Sequence, residues 1–474
     1  GVTYSARTED TSGNDVFEEE ELRGHVVAKG LWNMNDKWRS GLNIEWASDD
    51  QYTRQYDFDE LGFSNDDVLE NEIYAERFSG RNYAVARILA FQDIRVGESR
   101  EDQPEVLPEI IASFKGEPGA VPLIKGSWNV DTSFLGLQRE GSQQDMNRFS
   151  LSGGWSRRLV SDYGLLTNVQ ANVRGDVYNT RDKNAITANL GQNDSSSETR
   201  FFSNAHIQSS YPMAKQFETM QATIEPVVSL TVAPNIRTNN DIPNEDSQDV
   251  QIDTSNLFEP NRFPGLDRIE DQSRVTYGLR TGLYGYGGSY GDIFVGQSYR
   301  LDEDNNPFPS GSGLDTQDSD IVGQITGNYE GKYSLNYRFQ LDNEDMSPQR
   351  HEVDAFANWR KLQLSTRYLF AKAVDGTGIT GSREQIQGTA AYYVADDWRV
   401  HTGATQDLGE DSGLRKAYVG LDYYGQCVSF ALTAQRNYTD DSSGDSDTEI
   451  LFRIGLKNIG EFVSSGLRPD TTTE

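Results

Sequence analysis

The sequence predicts an all-β chain, a large antiparallel transmembrane β-barrel of roughly 22 strands. Three observations point there. Short segments alternate apolar and polar side chains, and Gly, Asn, Asp and Ser break them at intervals. The polar faces of those segments carry Arg, Lys, Gln and Asn at mid-strand, which a dry core could not satisfy and a water-filled lumen could. No stretch of the 474 residues approaches the roughly 20 consecutive apolar residues that cross a bilayer as a helix.

Taken in chain order, strands are predicted near residues 22–34, 37–48, 71–79, 82–94, 124–138, 147–160, 164–178, 194–208 and 217–233. More follow near 272–286, 290–300, 319–329, 332–342, 350–359, 361–371, 384–394, 397–407, 414–424, 427–438 and 447–458. The alternation is cleanest where Tyr333, Leu335, Tyr337, Phe339 and Leu341 stand on one face and Ser334, Asn336, Arg338 and Gln340 on the other. Leu362, Leu364, Thr366 and Tyr368 repeat it opposite Lys361, Gln363, Ser365 and Arg367. Trp38, Leu42, Ile44 and Trp46 do so opposite Arg39, Asn43 and Glu45, and Ile450, Phe452, Ile454 and Leu456 opposite Arg453 and Lys457. Two stretches break the rhythm: 235–270, rich in Asn, Asp and Pro, and 301–318, acidic and turn-rich. Such long loops on a large barrel sit outside the cell or fold in over the lumen.

Composition narrows the function. The chain has 74 acidic against 43 basic residues, a formal charge of −31, which makes nucleic acid a poor partner. Aromatic residues reach 11%, too many for a disordered chain of this acidity. Cys427 is the single cysteine, so an internal disulfide is excluded, and in an oxidising compartment it raises the prospect of a partner thiol elsewhere. His25, His206, His351 and His401 are scattered without metal-ligand spacing. No phosphate loop or nucleophile elbow occurs, so no enzyme site, cofactor or metal is predicted. The acidic stretches 301–306 and 439–449 lack the regular spacing of a calcium loop and read as solvated loops.

One region is more specific than composition. Ile224–Glu225–Pro226–Val227, then Val232–Ala233–Pro234, then Leu257–Phe258–Glu259–Pro260–Asn261–Arg262–Phe263–Pro264–Gly265–Leu266–Asp267–Arg268–Ile269, with Arg274, Gly278 and Gly296–Gln297 following, resembles the C-terminal barrel domain of the LptD family of lipopolysaccharide-assembly proteins. Trp38, Ser48–Asp49–Asp50, Tyr52, Leu107–Pro108, Trp398, Tyr423, Arg436, Tyr438 and Leu456–Lys457–Asn458–Ile459–Gly460 extend the resemblance along the chain. It implies a barrel of up to about 26 strands in the outer membrane of a Gram-negative bacterium. It also implies an LptE-like lipoprotein plug in the lumen, a periplasmic bridge component that delivers lipopolysaccharide, and release into the outer leaflet through a lateral gate between the first and last strands. Two departures are expected. Residues 1–474 read as barrel domain alone, without a periplasmic jelly-roll domain, and no Pro precedes Pro104 where the family's first strand carries prolines, so the first few strands are expected to be missing. The alternative function is a diffusion pore or a TonB-type importer.

The candidate residues follow. The resemblance implies that Cys427 staples the barrel to an N-terminal domain through a disulfide; the plainer reading is an inert thiol. Pro226 and Pro234 are expected to weaken strand pairing or to end a strand. Arg262, Phe263, Gly265, Asp267 and Arg268 are expected in a structured loop that closes over or plugs the barrel. Arg39, Arg338, Arg367, Arg453 and Lys457 are expected to face the lumen, either touching the phosphorylated sugars of lipopolysaccharide in transit or pairing with carboxylates.

Overall fold

The computed structural model describes residues 2–5, 8–9, 16–17, 21–49, 68–94, 103–117, 119, 125–139, 144–182, 194–236, 242–248, 250–302, 306–374, 381–409, 412–438, 448–457 and 460–463. Among the described residues there are 26 strands and no helix. Twenty-four of them pair in antiparallel ladders, almost always with the next strand in the chain, and Thr8–Glu9 pairs separately with Val16–Phe17. Contacts divide the chain into two units: Gly1–Arg157, Ala171–Ser203 and Asp241–Pro243, and Arg158–Gln170, Asn204–Asn240 and Asn244–Glu474.

The first unit is a meander through Glu21–Asn33, Trp38–Ala47, Val68–Ser79, Asn82–Asp93, Glu105–Lys115, Ser127–Gln138 and the start of Asp145–Val160. The strand Glu105–Lys115 was not among those predicted. Pro108 interrupts its alternation, and its ladder slips between Val106 and Glu109, as a proline without an N–H requires. The inward side of this unit is polar and paired. Arg23 makes a two-pronged bond to Asp49 at 2.6 and 2.8 Å, Arg39 donates to Glu76 at 2.5 Å, and Arg200 donates to Asp176 at 2.8 Å. A small apolar cluster of Leu89, Val106, Leu135, Met146, Tyr178 and Ile242 sits among them.

The second unit continues with Met220–Val232, Arg274–Gly285, Tyr290–Arg300, Ile321–Tyr329, Tyr333–Leu341, Pro348–Asn358, Leu362–Ala371, Arg383–Ala395, Trp398–Asp407, Gly413–Tyr424, Val428–Asn437 and Thr448–Leu456, each paired with the next. Its alternation is inverted relative to a soluble sheet. On Tyr290–Arg300, Ile293, Val295 and Tyr299 are exposed while Phe294, Gly296, Ser298 and Arg300 are buried. On Met220–Val232, Val228, Leu230 and Val232 are exposed while Ser229 and Thr231 are buried. Apolar side chains outside and polar ones inside is the signature of a sheet solvated by lipid on one face.

The two ends of these strands differ. One end is closed by tight turns at 286–289, 330–332, 359–361, 396–397 and 425–427, and the other by longer connections such as 233–273 and 301–320. Gly288 (φ 89°) and Gly331 (φ 66°) supply the left-handed conformation those turns need. Trp359 and Trp398 stand exposed beside the tight turns, as aromatic residues do at a membrane interface. In barrels of this kind the short turns face the periplasm.

Candidate functional site

The densest constellation is the loop 244–273 folded onto the polar face of Arg274–Gly285 and Tyr290–Arg300. Pro226 stands inside Met220–Val232, opposite Leu279 in an unbroken ladder with Arg274–Gly285, and only the pairing on its other side is interrupted, where its missing N–H costs nothing. Asp194–Ser210 pairs with Val227–Val232 and Met213–Gln216 pairs with Gln221–Ile224, so Pro226 falls in the gap, its carbonyl accepting from the Tyr211 N–H at 3.1 Å. Pro234 lies just past the end of the strand Met220–Val232.

The loop is built by carboxylates and amides that satisfy backbone groups a sheet would otherwise pair. Asp267 is fully buried and accepts from the N–H groups of Glu245 (2.7 Å) and Asp246 (3.2 Å). Asp246 accepts in return from the N–H groups of Leu266 and Asp267, both at 3.0 Å. Gly265 is required between them, because a Cβ there would stand 2.2 Å from the Asp246 carboxylate and 2.3 Å from its backbone oxygen. Arg268 caps the turn, its N–H donating to Ser247 Oγ at 3.2 Å. Asn261 holds the far limb by accepting from the Glu270 N–H at 2.9 Å.

Beneath these turns lies a buried ionic group. Arg262 donates through Nε to Glu270 at 2.9 Å and through Nη2 to its other oxygen, and Arg274 reaches the same carboxylate at 3.0 Å. Arg274 also donates to the Glu259 carbonyl, and Arg300 to the carbonyls of Asp302 (3.1 Å) and Leu314 (3.3 Å). Burial pushes the Glu270 carboxyl upward, but Arg262 and Arg274 outweigh it and hold the group below the usual carboxylate range. Around it packs an apolar cluster: Val250, Ile252, Leu257, Phe263, Phe308 and Leu314 from the two long loops, with Phe294 and Val322 from the strands. Phe263 stacks on Phe308 with ring centroids 4.7 Å apart, and the Arg262 guanidinium lies over the same Phe308 ring at 5.4 Å. Leu257 lies against Gly296, where a Cβ would come within 2.5 Å of its methyl. The two long loops also bond to each other, Ile252 N–H to the Ser312 carbonyl at 2.9 Å. Asp320, at the foot of the second loop, accepts from Gln340 at 2.8 Å. Burial pushes its carboxyl up to about 6; Gln340 opposes the shift, and Asp342 and Asp315 add to it.

Further along the chain the polar face is uncovered and charged. Arg338 and Arg350 (with Oε1) both engage Glu352, Arg367 donates to Asp354 at 2.7 Å, and Arg399 donates to Asp422 at 2.8 Å. Arg453 stands on the same alternating face of Thr448–Leu456, opposite Ala431. Lys457 does not: the strand ends at Leu456, and Lys457 lies in the following turn, its N–H donating to the Cys427 carbonyl at 3.0 Å. Cys427 is an exposed free thiol in the tight turn between Gly413–Tyr424 and Val428–Asn437. His206 Nδ1 lies 2.9 Å from Thr231 Oγ1, His351 bonds the Tyr337 hydroxyl at 2.7 Å, and His401 lies 3.5 Å from Asp422. Among the described residues no cluster of His, Cys, Asp and Glu could hold a metal. The acidic residues 303–305 and 439–447 and the Asp50 and Tyr52 positions lie outside the described residues.

Sequence reasoning singled out Arg262, Phe263, Gly265, Asp267 and Arg268 but missed Glu270, Phe308 and Asp320. An aromatic residue between Pro307 and Pro309 in an otherwise acidic loop was the available signal for Phe308. Nothing in the spacing marks Glu270, eight residues from Arg262, as its partner.

An inverted antiparallel sheet with tight turns at one end and long, packed loops at the other defines a multi-pass outer-membrane β-barrel. The family model described as LptD, LPS transport system D, matches residues 21–398, and the chain belongs to that family. It is similar to the LPS-assembly protein LptD of Alcanivorax borkumensis, 24% identical over 466 residues that cover 94% of this chain and 58% of that protein. The corresponding protein of Histophilus somni is 28% identical over 236 residues, 47% of this chain and 29% of that one. The chain thus spans between about a third and three fifths of the length of these relatives. Among solved structures it is similar to the copper transporter OprC, at 10% identity and a TM-score of 0.35, covering 94% of this chain and 74% of that one; so loose a superposition carries no weight.

Proposed function

We propose that this barrel carries lipopolysaccharide across the outer membrane and inserts it into the outer leaflet, the sugar head moving along the polar face and the acyl chains leaving through a lateral opening. The observation that carries the reading is the uncovered ladder of Arg338, Arg367 and Arg399 with their carboxylates, beginning beside Arg350, which the loop residue Gln251 contacts at 3.2 Å, in a chain of the LPS transport system D family. A phosphorylated sugar is recognised by guanidinium groups that are already held in position, and Arg338, Arg367 and Arg399 are each oriented by a carboxylate on a neighbouring strand. An apolar face turned to lipid, beginning one residue away on every strand, accepts the acyl chains.

The partners follow from the same reading. A lipoprotein plug of the LptE kind would cover the charged polar face that runs from Arg338 to Arg399, and a periplasmic bridge component would deliver the lipid at the tight-turn end. Cys427 sits in one of those tight turns, where a thiol from a periplasmic domain could reach it, and we assign it the disulfide to that domain. The test is photocrosslinking in cells making lipopolysaccharide, from Asn336 on the polar face and from Phe452 on the last long strand. Lipopolysaccharide crosslinked at both positions supports passage and lateral exit. Folded protein that never crosslinks it at either position sinks the reading and leaves a diffusion pore or an importer.

A further inference from the structure

The membrane-facing side of the second unit is not uniformly bulky. Across Pro348–Asn358, Leu362–Ala371, Arg383–Ala395 and Trp398–Asp407 it opens into a depression of about 550 Å³. Strand register aligns its floor: Ala355 opposite Thr366, Thr366 opposite Gly388, Gly388 opposite Ala404, with Ala357, Ala390 and Thr402 in the next row. A Cβ added at Gly388 would meet nothing within 4 Å, so the space is open rather than filled by a neighbour. The hydroxyls in it are spent internally, Thr366 on the Gln387 carbonyl at 3.1 Å and Thr402 on the Tyr418 carbonyl at 2.8 Å. Leu335 on one side and Val419 on the other restore the bulk. The charged residues of these strands, Asp354 and Arg367 among them, point to the opposite face.

At the periplasmic mouth of this groove, one tight turn past Ala357 and Leu364, stand Trp359, Arg360 and Lys361, all exposed. Neither Arg360 nor Lys361 has a carboxylate partner among the described residues, whereas Arg338, Arg367, Arg399 and Arg415 all do. Trp359 is held edge-on to Tyr333 at 5.8 Å, fixing an aromatic ring at headgroup depth. A second depression of about 490 Å³, around Gly291 and Gly327, lacks such a charge. Lys332, next to its lining residue Tyr333, is paired with Glu330 at 2.7 Å. The neighbouring turn at the same end of the groove, Asp396–Asp397, is acidic, so the basic character is confined to the turn that carries Arg360 and Lys361.

We propose that this groove is a binding site for an anionic phospholipid of the periplasmic leaflet, its acyl chain lying over Gly388 and its headgroup held by Arg360 and Lys361. The occupant is set by place and charge: the groove is continuous with the face that lipid already covers, and the two unpaired cations call for an anion. The site is separate from the polar face proposed to carry lipopolysaccharide.

The full chain, reconstituted into bilayers of phosphatidylethanolamine doped with a phosphatidylglycerol carrying a photoactivatable acyl chain, provides the test. Crosslinks are expected to concentrate on peptides containing Ala357, Gly388 and Ala404 over the equally membrane-facing Ile293 and Val295. Arg360→Gln/Lys361→Gln, confined to an exposed turn, should lower them about 25-fold, since each basic group at an anionic surface is worth roughly a factor of five. Gly388→Leu should lower them without any change of charge, and a zwitterionic probe should ignore the charge substitutions. Heat-modifiable gel mobility reports that each variant is folded. Crosslinks spread evenly over the membrane faces, or indifferent to the loss of Arg360 and Lys361, would overturn the proposal.

Discussion

On Arg274–Gly285 and Tyr290–Arg300 the polar face is dry, whereas on Pro348–Asn358 and Leu362–Ala371 it is wet. Arg274 is 1% exposed and Thr276 and Ser298 are as deeply buried, while the Arg367 side chain is 71% exposed and its partner Asp354 36%. Both regions alternate polar with apolar residues along the strand, and both pair arginine with carboxylate. The difference lies in what covers them. Phe263, Phe308, Leu257 and Ile252 descend from the long loops onto the first region and exclude water, so Arg262 and Arg274 depend on the one carboxylate of Glu270 between them. The second region keeps its charges at solvent, where pairing orients them without committing much free energy.

The comparison can be broken most sharply at Glu270. Glu270→Gln leaves Arg262 and Arg274 buried without a counter-charge, and a loss of about 3–5 kcal/mol is expected, read as a lowered urea midpoint or failure to reach the folded, heat-modifiable form. Asp320 comes next. Its carboxyl titrates near 6 in the folded protein against 3.8 ordinarily, so its contribution is fully present below pH about 4 and is lost as pH rises through 6. Asp320→Asn should therefore gain about 2 kcal/mol relative to the parent near pH 8 and nothing near pH 4. Glu270 runs the other way: its folded value is depressed, so its stabilisation is present at neutral pH and fails only as pH falls through that lowered value. Gly265→Ala, whose new methyl would meet the Asp246 backbone, should cost about 1–3 kcal/mol by displacing the turn. At the open face, Arg367→Gln should leave the urea midpoint unchanged.

The sequence carried the sheet well and the site in part. Alternation located Tyr290–Arg300 to the residue, because one face of each strand must suit lipid and the other water. It failed at Glu105–Lys115, where Pro108 breaks the pattern that alternation relies on. The loop residues from Arg262 to Arg268 stood out by resemblance, and Gly265 has a local steric reason that a sequence can suggest. Glu270 and Phe308 could not be found that way, since their roles depend on contacts between two loops separated by the strands between them. Lys457 shows the limit of periodicity at an element's end: the alternation runs past Leu456 although the ladder stops there.

The contrast between covered and open polar faces is tested most directly by photocrosslinking to lipopolysaccharide from two positions in the same cells, Arg367 on the open face and Ser298 on the covered one. Crosslinks from Arg367 and none from Ser298, with both variants folded, are expected if the lipid's sugar travels along the uncovered ladder. Crosslinks from Ser298 at a comparable yield would contradict the account, because they would place lipopolysaccharide where Phe263, Phe308 and the Glu270 ion pairs leave it no room.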